Sequence, residues 1–142
     1  MSTISSLSQE DKEVLLKDLC ARLPYSVKCE IDDIDEPLEL ESIKFKGDYF
    51  IFGNGVYERY ITEIKPYLRP MPSMTEKERG EYRSFIFDYE YDDYWNPGKY
   101  SAAVEVYIMS ELIDWLNAHH FDYRHLIECG LALPAPEGMY NI

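Results

Sequence analysis

Leu15-Leu16-Lys17-Asp18-Leu19-Cys20-Ala21-Arg22-Leu23-Pro24-Tyr25-Ser26-Val27-Lys28-Cys29-Glu30-Ile31 changes its apolar period from 3.6 to 2 within one stretch. Leu16, Leu19, Cys20 and Leu23 recur at i, i+3, i+4 and i+7, the spacing of one helix face. Pro24 has no N–H to continue the ladder, so the helix ends there. Upstream, Ser8 is the expected N-cap, and Glu10 and Asp11 favour the positive end of the helix dipole. A first helix over about Gln9 to Leu23 follows. From Tyr25 onward, Val27, Cys29 and Ile31 alternate with Ser26, Lys28 and Glu30, the pattern of a half-buried strand. A helix followed directly by a strand in a single core predicts an α+β fold.

Downstream the alternation resumes after Pro37, through Leu38, Leu40 and Ile43-Lys44-Phe45. Lys46-Gly47-Asp48 reads as a tight turn before a strand Tyr49 to Phe52, and Gly53-Asn54-Gly55 supplies the positive φ angles of a hairpin leading into Val56 to Ile61. Three to five short antiparallel strands are expected. Lys65-Pro66-Tyr67-Leu68-Arg69-Pro70-Met71-Pro72 holds three prolines and reads as an irregular connector. Thr75-Glu76-Lys77-Glu78 has the form of a capping box, predicting a short helix from Glu76 to about Tyr82. Phe85, Phe87, Tyr89 and Tyr91 then alternate with Ile86, Asp88 and Glu90, which favours a strand, with a helix running one turn further as the alternative, and Asn96-Pro97-Gly98 marks a turn.

A helix from about Ala102 to Ala118 carries Val104, Ile108, Leu112 and Trp115 on one side, with Val106, Ile113 and Leu116 on its flank. Asp122 is placed to cap a last short helix holding Leu126 and Ile127 and stopping at Gly130, and a non-regular tail, 131–142, completes the chain. The expectation is one domain over 1–142: an N-terminal helix, a small antiparallel sheet and a helical C-terminal half.

The 142 residues, 46% of them apolar, suffice for one core without metal or disulfide staples. Fourteen basic residues against 27 acidic ones give a net charge of −13, which disfavours direct binding to nucleic-acid phosphates. No apolar run approaches the length of a membrane span, and Met1 to Gln9 lacks the basic and apolar regions of a secretory leader, so no membrane association and a cytoplasmic location are expected. Cys20, Cys29 and Cys129 are an odd number at long spacings within apolar patterns, the pattern of buried free thiols. Of the 21 aromatic residues 13 are tyrosine, whose apolar body and polar tip suit half-buried positions and interfaces.

Two acidic stretches stand out. Glu30 to Glu41 contains seven carboxylates, but Pro37 and the absence of a turn glycine break the calcium-loop spacing, so it reads as a solvated loop. Asp88-Tyr89-Glu90-Tyr91-Asp92-Asp93-Tyr94-Trp95 interleaves acids with aromatics, a combination in which rings anchor a contact and carboxylates steer a basic protein partner. An inhibitor or immunity protein that mimics nucleic-acid charge against a basic enzyme uses the same physics.

His119, His120, His125 and Cys129 are the one group with transition-metal chemistry, His125 and Cys129 standing at i, i+4. A small metal-dependent hydrolase using His120 and His125 with Asp122 and Glu128 is the enzymatic alternative. No Cys-x-x-Cys or His-Glu-x-x-His spacing, nucleophile elbow or phosphate-binding loop occurs, so no catalytic, cofactor or metal residue is assigned. A non-enzymatic acidic protein-binding domain is the leading expectation.

Several phrases resemble a family of uncharacterised small proteins from Bacteroides-type gut bacteria and their prophages or mobile elements. They are Leu15 through Tyr25 as quoted above, then Ile64-Lys65-Pro66-Tyr67-Leu68-Arg69-Pro70-Met71 with Ser73-Met74-Thr75-Glu76, and Asp114-Trp115-Leu116-Asn117. His120-Phe121-Asp122-Tyr123-Arg124, Leu126-Ile127-Glu128 and Gly130-Leu131-Ala132 complete the set. The resemblance implies a host and a mobile-element setting, not a mechanism, and it does not extend to residues 30–55 or 85–99. Each phrase also has a folding role to explain it: a helix end, a connector, and the packing of Trp115 with Phe121 and Tyr123.

Overall fold

A computed structural model describes the backbone of residues 7–95 and 102–140 and the side chains of 7–85 and 106–140. Helix α1, Gln9–Arg22, starts where Ser8 Oγ accepts the Asp11 N–H at 3.0 Å, as the sequence predicts, and a single 3-10 turn, Leu23–Tyr25, follows it. Strands β1 (Lys28–Ile31), β2 (Leu38–Lys44), β3 (Tyr49–Phe52), β4 (Tyr57–Arg59), β5 (Ile64–Leu68) and β6 (Leu133–Pro134) form one sheet in the order β4-β3-β2-β1-β5-β6. Neighbouring pairs are antiparallel except β5 with β6, which run parallel. The α+β class is as expected, while the sheet is larger and mixed.

Two strands are additional: β6 lies in the tail expected to be non-regular, and β5 arises from the proline-rich segment expected to be irregular. Ile64, Pro66 and Leu68 are buried and alternate with half-buried Lys65 and Tyr67, so the period of two was present beneath the prolines. Pro66 lies opposite Cys29. The Asp32 N–H donates to the Glu63 carbonyl at 3.1 Å, so the even-numbered residues of this stretch turn their backbone groups toward β5. Pro66 therefore stands at a position where β1 requires no N–H.

Leu15 and Leu19 of α1 pack into the main core with Cys29, Ile31, Phe50, Phe52, Ile64 and Leu68. Glu41 marks a register shift in β2, and its carboxylate accepts the N–H groups of Asn54 and, at 3.1 Å, Gly55. One carboxylate of the acidic stretch thus clamps the β3–β4 turn, in which Gly53, Asn54 and Gly55 all have positive φ. Of the three cysteines only Cys29 is buried; Cys20 and Cys129 are exposed, because each falls at the rim of its apolar row.

The capping box forms as predicted: Thr75 Oγ1 accepts the Glu78 N–H at 3.1 Å and Glu78 accepts the Thr75 N–H at 2.9 Å. The helix it starts, α2, runs Glu76–Trp95, through the stretch expected to be a strand. Tyr82, Phe85 and Tyr89 also satisfy helical spacing, and no glycine or proline intervenes after Gly80 to end the helix. Helix α3 spans Ala102–Ala118, with the predicted bounds. The expected last helix is instead a series of turns, since His125 sits at φ 61°. Asp122 still caps it, accepting the N–H groups of Leu126 and Ile127 at 2.9 and 3.0 Å. No helix among the described residues is long and apolar enough to cross a membrane.

Candidate functional site

Helices α2 and α3 form an antiparallel arm held at its base. Trp115 Nε1–H donates to Glu81 at 2.9 Å, and the rings of Tyr82 and Phe85 lie 6.3 and 6.2 Å from the Trp115 ring. A second, smaller core of Met74, Leu112, Leu116 and Phe121 closes beneath it. Beyond this base, α3 leaves Val106 and Tyr107 largely exposed, at 68% and 64%, and Met109 and Ile113 partly so, at 38% and 37%. Val106, Met109 and Ile113 follow i, i+3, i+7 and so form a single row. Among the described residues, the wide apolar face read from the sequence is best covered on its Leu112–Trp115–Leu116 side.

Residues Asp88, Tyr89, Glu90, Tyr91, Asp92, Asp93, Tyr94 and Trp95 all fall on the distal half of α2. Their side chains lie outside the described residues. Eight consecutive helical positions wind about two turns round the axis, so the acid-on-one-side, ring-on-the-other arrangement of a strand does not apply. Between Asp88 and Ala118 seven carboxylates accompany one basic residue, Lys99.

At the base of the arm a cleft of about 640 Å³ lies between the start of α2 and residues 135–140. Arg69 makes a two-point ion pair with Glu78 at 2.7 and 2.8 Å and donates to the His119 carbonyl at 3.2 Å, while its guanidinium lies 4.2 Å from the Phe121 ring centroid. Arg69 holds the Glu78 carboxyl down at about 2, with the Thr75 backbone bond adding to the effect. His119 Nδ1 is 2.9 Å from the Trp115 carbonyl, so it carries the proton in the neutral ring and leaves Nε2 as the acceptor. Most other polar groups here are already committed: Glu81 to Trp115, Ser73 to the Pro70 carbonyl, Thr75 to Glu78.

His120 is turned away from this chemistry. It is 4% exposed, stacks on Tyr140 with ring centroids 3.8 Å apart, and its Nδ1 finds no partner among the described residues. Burial first, then Arg22, Arg69, His119 and Lys28, push its pKa down to about 4. The Tyr140 hydroxyl accepts the Lys28 N–H at 2.9 Å and donates to the Tyr67 carbonyl at 2.7 Å. It bridges β1 and β5 where their ladder stops, and burial keeps its phenol above the ordinary range. His125 is exposed, 4.0 Å from Glu128. Among the described residues no group of three His, Cys, Asp or Glu side chains is arranged to hold a metal ion, and the His120 and His125 rings are engaged separately.

Among the described residues the most buried charges, Asp18 and Arg22, serve the fold. Asp18 accepts from Arg22 Nε at 2.8 Å and makes an ion pair with Arg124, whose Nε lies 3.2 Å away without a hydrogen bond; both guanidinium groups face the Tyr123 ring, and Arg22 also donates to the Phe121 carbonyl at 2.6 Å. This hub ties α1 to the loop after α3. No family model, curated protein or solved structure matches the chain. Sequence reading missed the Arg69–Glu78 pair and the Tyr140 bridge, since neither has a periodic signal; the capping box placed Glu78 but not its partner.

Proposed function

We propose that this chain is a non-enzymatic binding protein, in the mobile-element setting its phrases suggest, whose α2–α3 arm engages a basic protein. The observation that carries the reading is the partly exposed apolar row Val106, Met109 and Ile113 on a helix that has no lysine or arginine. Apolar side chains left in water on an otherwise anchored helix supply contact area, and the carboxylates of residues 88–118 supply attraction and register. A second copy of the chain is a poor occupant, because two faces of like charge repel.

The test begins with capture from the host cell and is decided with the purified partner by calorimetry at low and moderate salt. Binding that weakens at least tenfold with salt, and again with Ile113→Glu or with Asp88, Asp92 and Asp93 changed to Lys, supports the reading. A complex indifferent to salt and to both sets of changes removes it.

A further inference from the structure

At the far end of β2, β3 and β4 the chain builds a second exposed surface. Phe45 and Lys46 adopt φ of 54° and 58°, and Gly47 follows at 100°. Gly47 must be glycine, since a Cβ there would stand 2.8 Å from a Leu16 methyl. Phe45 has no such reason: a left-handed conformation suits Asn or Gly, and a bulky ring there is both strained and 69% exposed. The Phe45 ring lies edge-on to Tyr49 at 5.8 Å, and Tyr49 lies 5.4 Å from Tyr60, itself 56% exposed. The neighbouring Tyr60 hydroxyl raises the Tyr49 phenol above its ordinary range, as it does when the neutral Tyr49 O–H is the donor. Three aromatic rings thus lie next to one another at the surface.

Tyr60 alone of the three rings is also a wall of a cleft of about 390 Å³ between α1 and residues 60–62, whose polar lining is Gln9, Lys12, Glu13, Asp48 and Thr62 and whose apolar lining includes Leu16 and Ile61. This lining mixes donors, acceptors and a hydroxyl. An anionic ligand would meet Glu13 and Asp48, while for a cation the pull of those carboxylates and of the rings is offset in part by Lys12. A neutral polyol meets neither objection, because each of its hydroxyls both donates and accepts. Addition of a peptide strand to β4 is disfavoured. The Glu58 carbonyl is taken by the Arg59 guanidinium at 2.9 Å, and the Tyr60 N–H and carbonyl are taken by the Glu63 carboxylate and N–H at 2.8 and 2.9 Å.

We propose that Phe45, Tyr49 and Tyr60, with Gln9, Glu13 and Asp48 beside them, form a saccharide-binding site. The apolar C–H face of a pyranose ring rests on the exposed rings, and its hydroxyls reach the amide and carboxylates in the cleft. The site is separate from the α2–α3 arm and stands or falls independently of the function proposed for it.

The test is a glycan array, followed by NMR titration of the intact chain with a panel of neutral mono- and disaccharides, and with choline chloride and inorganic phosphate as charged controls. Millimolar binding of a neutral sugar is expected, with shifts confined to residues 9–13, 45–49 and 60–62. Phe45→Asn relieves the backbone strain, so its Tm should equal or exceed that of the parent chain while sugar affinity falls at least fivefold. Tyr60→Ala should abolish binding. No shift from any sugar, binding of choline or phosphate alone, or full affinity in Phe45→Asn each overturns the proposal.

Discussion

Helices α1 and α3 are both amphipathic, yet the molecule uses them differently. Along α1, Leu15 and Leu19 are buried against the sheet, and Val14 is its one large apolar residue left substantially exposed. Along α3, Leu112 and Leu116 are buried near the C-terminal end while Val106, Tyr107, Met109 and Ile113 are not. The difference lies in what each helix is given to cover. Helix α1 spans a sheet whose whole face requires shielding, and its last turn is locked by Asp18 and Arg22. Helix α3 meets α2, part of α1 and a small cluster at its base, so its free stripe has no partner within the described residues. An apolar stripe thus reports what a helix is able to cover, not whether that surface is covered in the isolated chain.

The largest effect should come from the locked end of α1. Asp18→Ala leaves Arg22, fully buried, and its neighbour Arg124 without their carboxylate, and should cost about 3–5 kcal/mol. Urea unfolding monitored by circular dichroism measures it, and a loss below about 1 kcal/mol would mean that the hub is dispensable. Trp115→Ala strikes the base of the arm. Because Trp115 is only half-buried, its removal should cost about 2 kcal/mol, with amide protection lost in α2 and α3 and retained in α1. Equal loss of protection in both regions by hydrogen exchange would show that the arm and the sheet unfold as one unit, and would dissolve the contrast.

How much of this was legible follows from which interactions are local. Ser8, Thr75 with Glu78, and Gly53-Asn54-Gly55 act within a few residues, and all three were read from the chain in their observed roles. Pro66 and Phe85 misled because each satisfies two patterns. Proline reads as a breaker until the neighbouring strand shows that no N–H was required there, and alternating aromatics at 85–91 also recur at helical spacing. Arg69, Tyr140 and the exposed row on α3 were not legible. The first two act on residues far away in sequence, and exposure depends on what packs against a face rather than on the face itself.

Acid separates the hub loop from the rest more finely. The folded pKa of His120, about 4, lies below its ordinary 6.5, so the native state favours the neutral ring. That contribution is complete above pH 6.5 and is lost as pH falls toward 4, where the unfolded chain binds the extra proton. The loss should approach about 2 kcal/mol, less than the full shift because relaxation and water admit part of the charge. Glu78, held down at about 2, contributes above pH 4.5 and loses its share between 4.5 and 2, a lower window. His120→Asn tolerates the left-handed backbone at this position, φ 62°, and should flatten the stability profile between pH 6.5 and 4.5 while leaving the Glu78 limb. A profile unchanged by that substitution would place the titration elsewhere.

The smallest expected effect is the most informative for α3. Val106→Glu puts a charge where the side chain already meets water and should change stability by no more than about 0.5 kcal/mol, while Ile113→Glu, at a position 37% exposed, should cost about 1 kcal/mol. Leu112→Glu, one residue along but 7% exposed, should cost about 3 kcal/mol or more, because a carboxylate would enter the small core without a partner. Thermal unfolding of the three variants under one buffer makes the comparison directly. If Ile113→Glu were as damaging as Leu112→Glu, the row would be covered in solution and the binding reading would lose its observation. If its cost is as small as expected, any effect it has on a partner belongs to the surface itself, since the helix that carries it is intact.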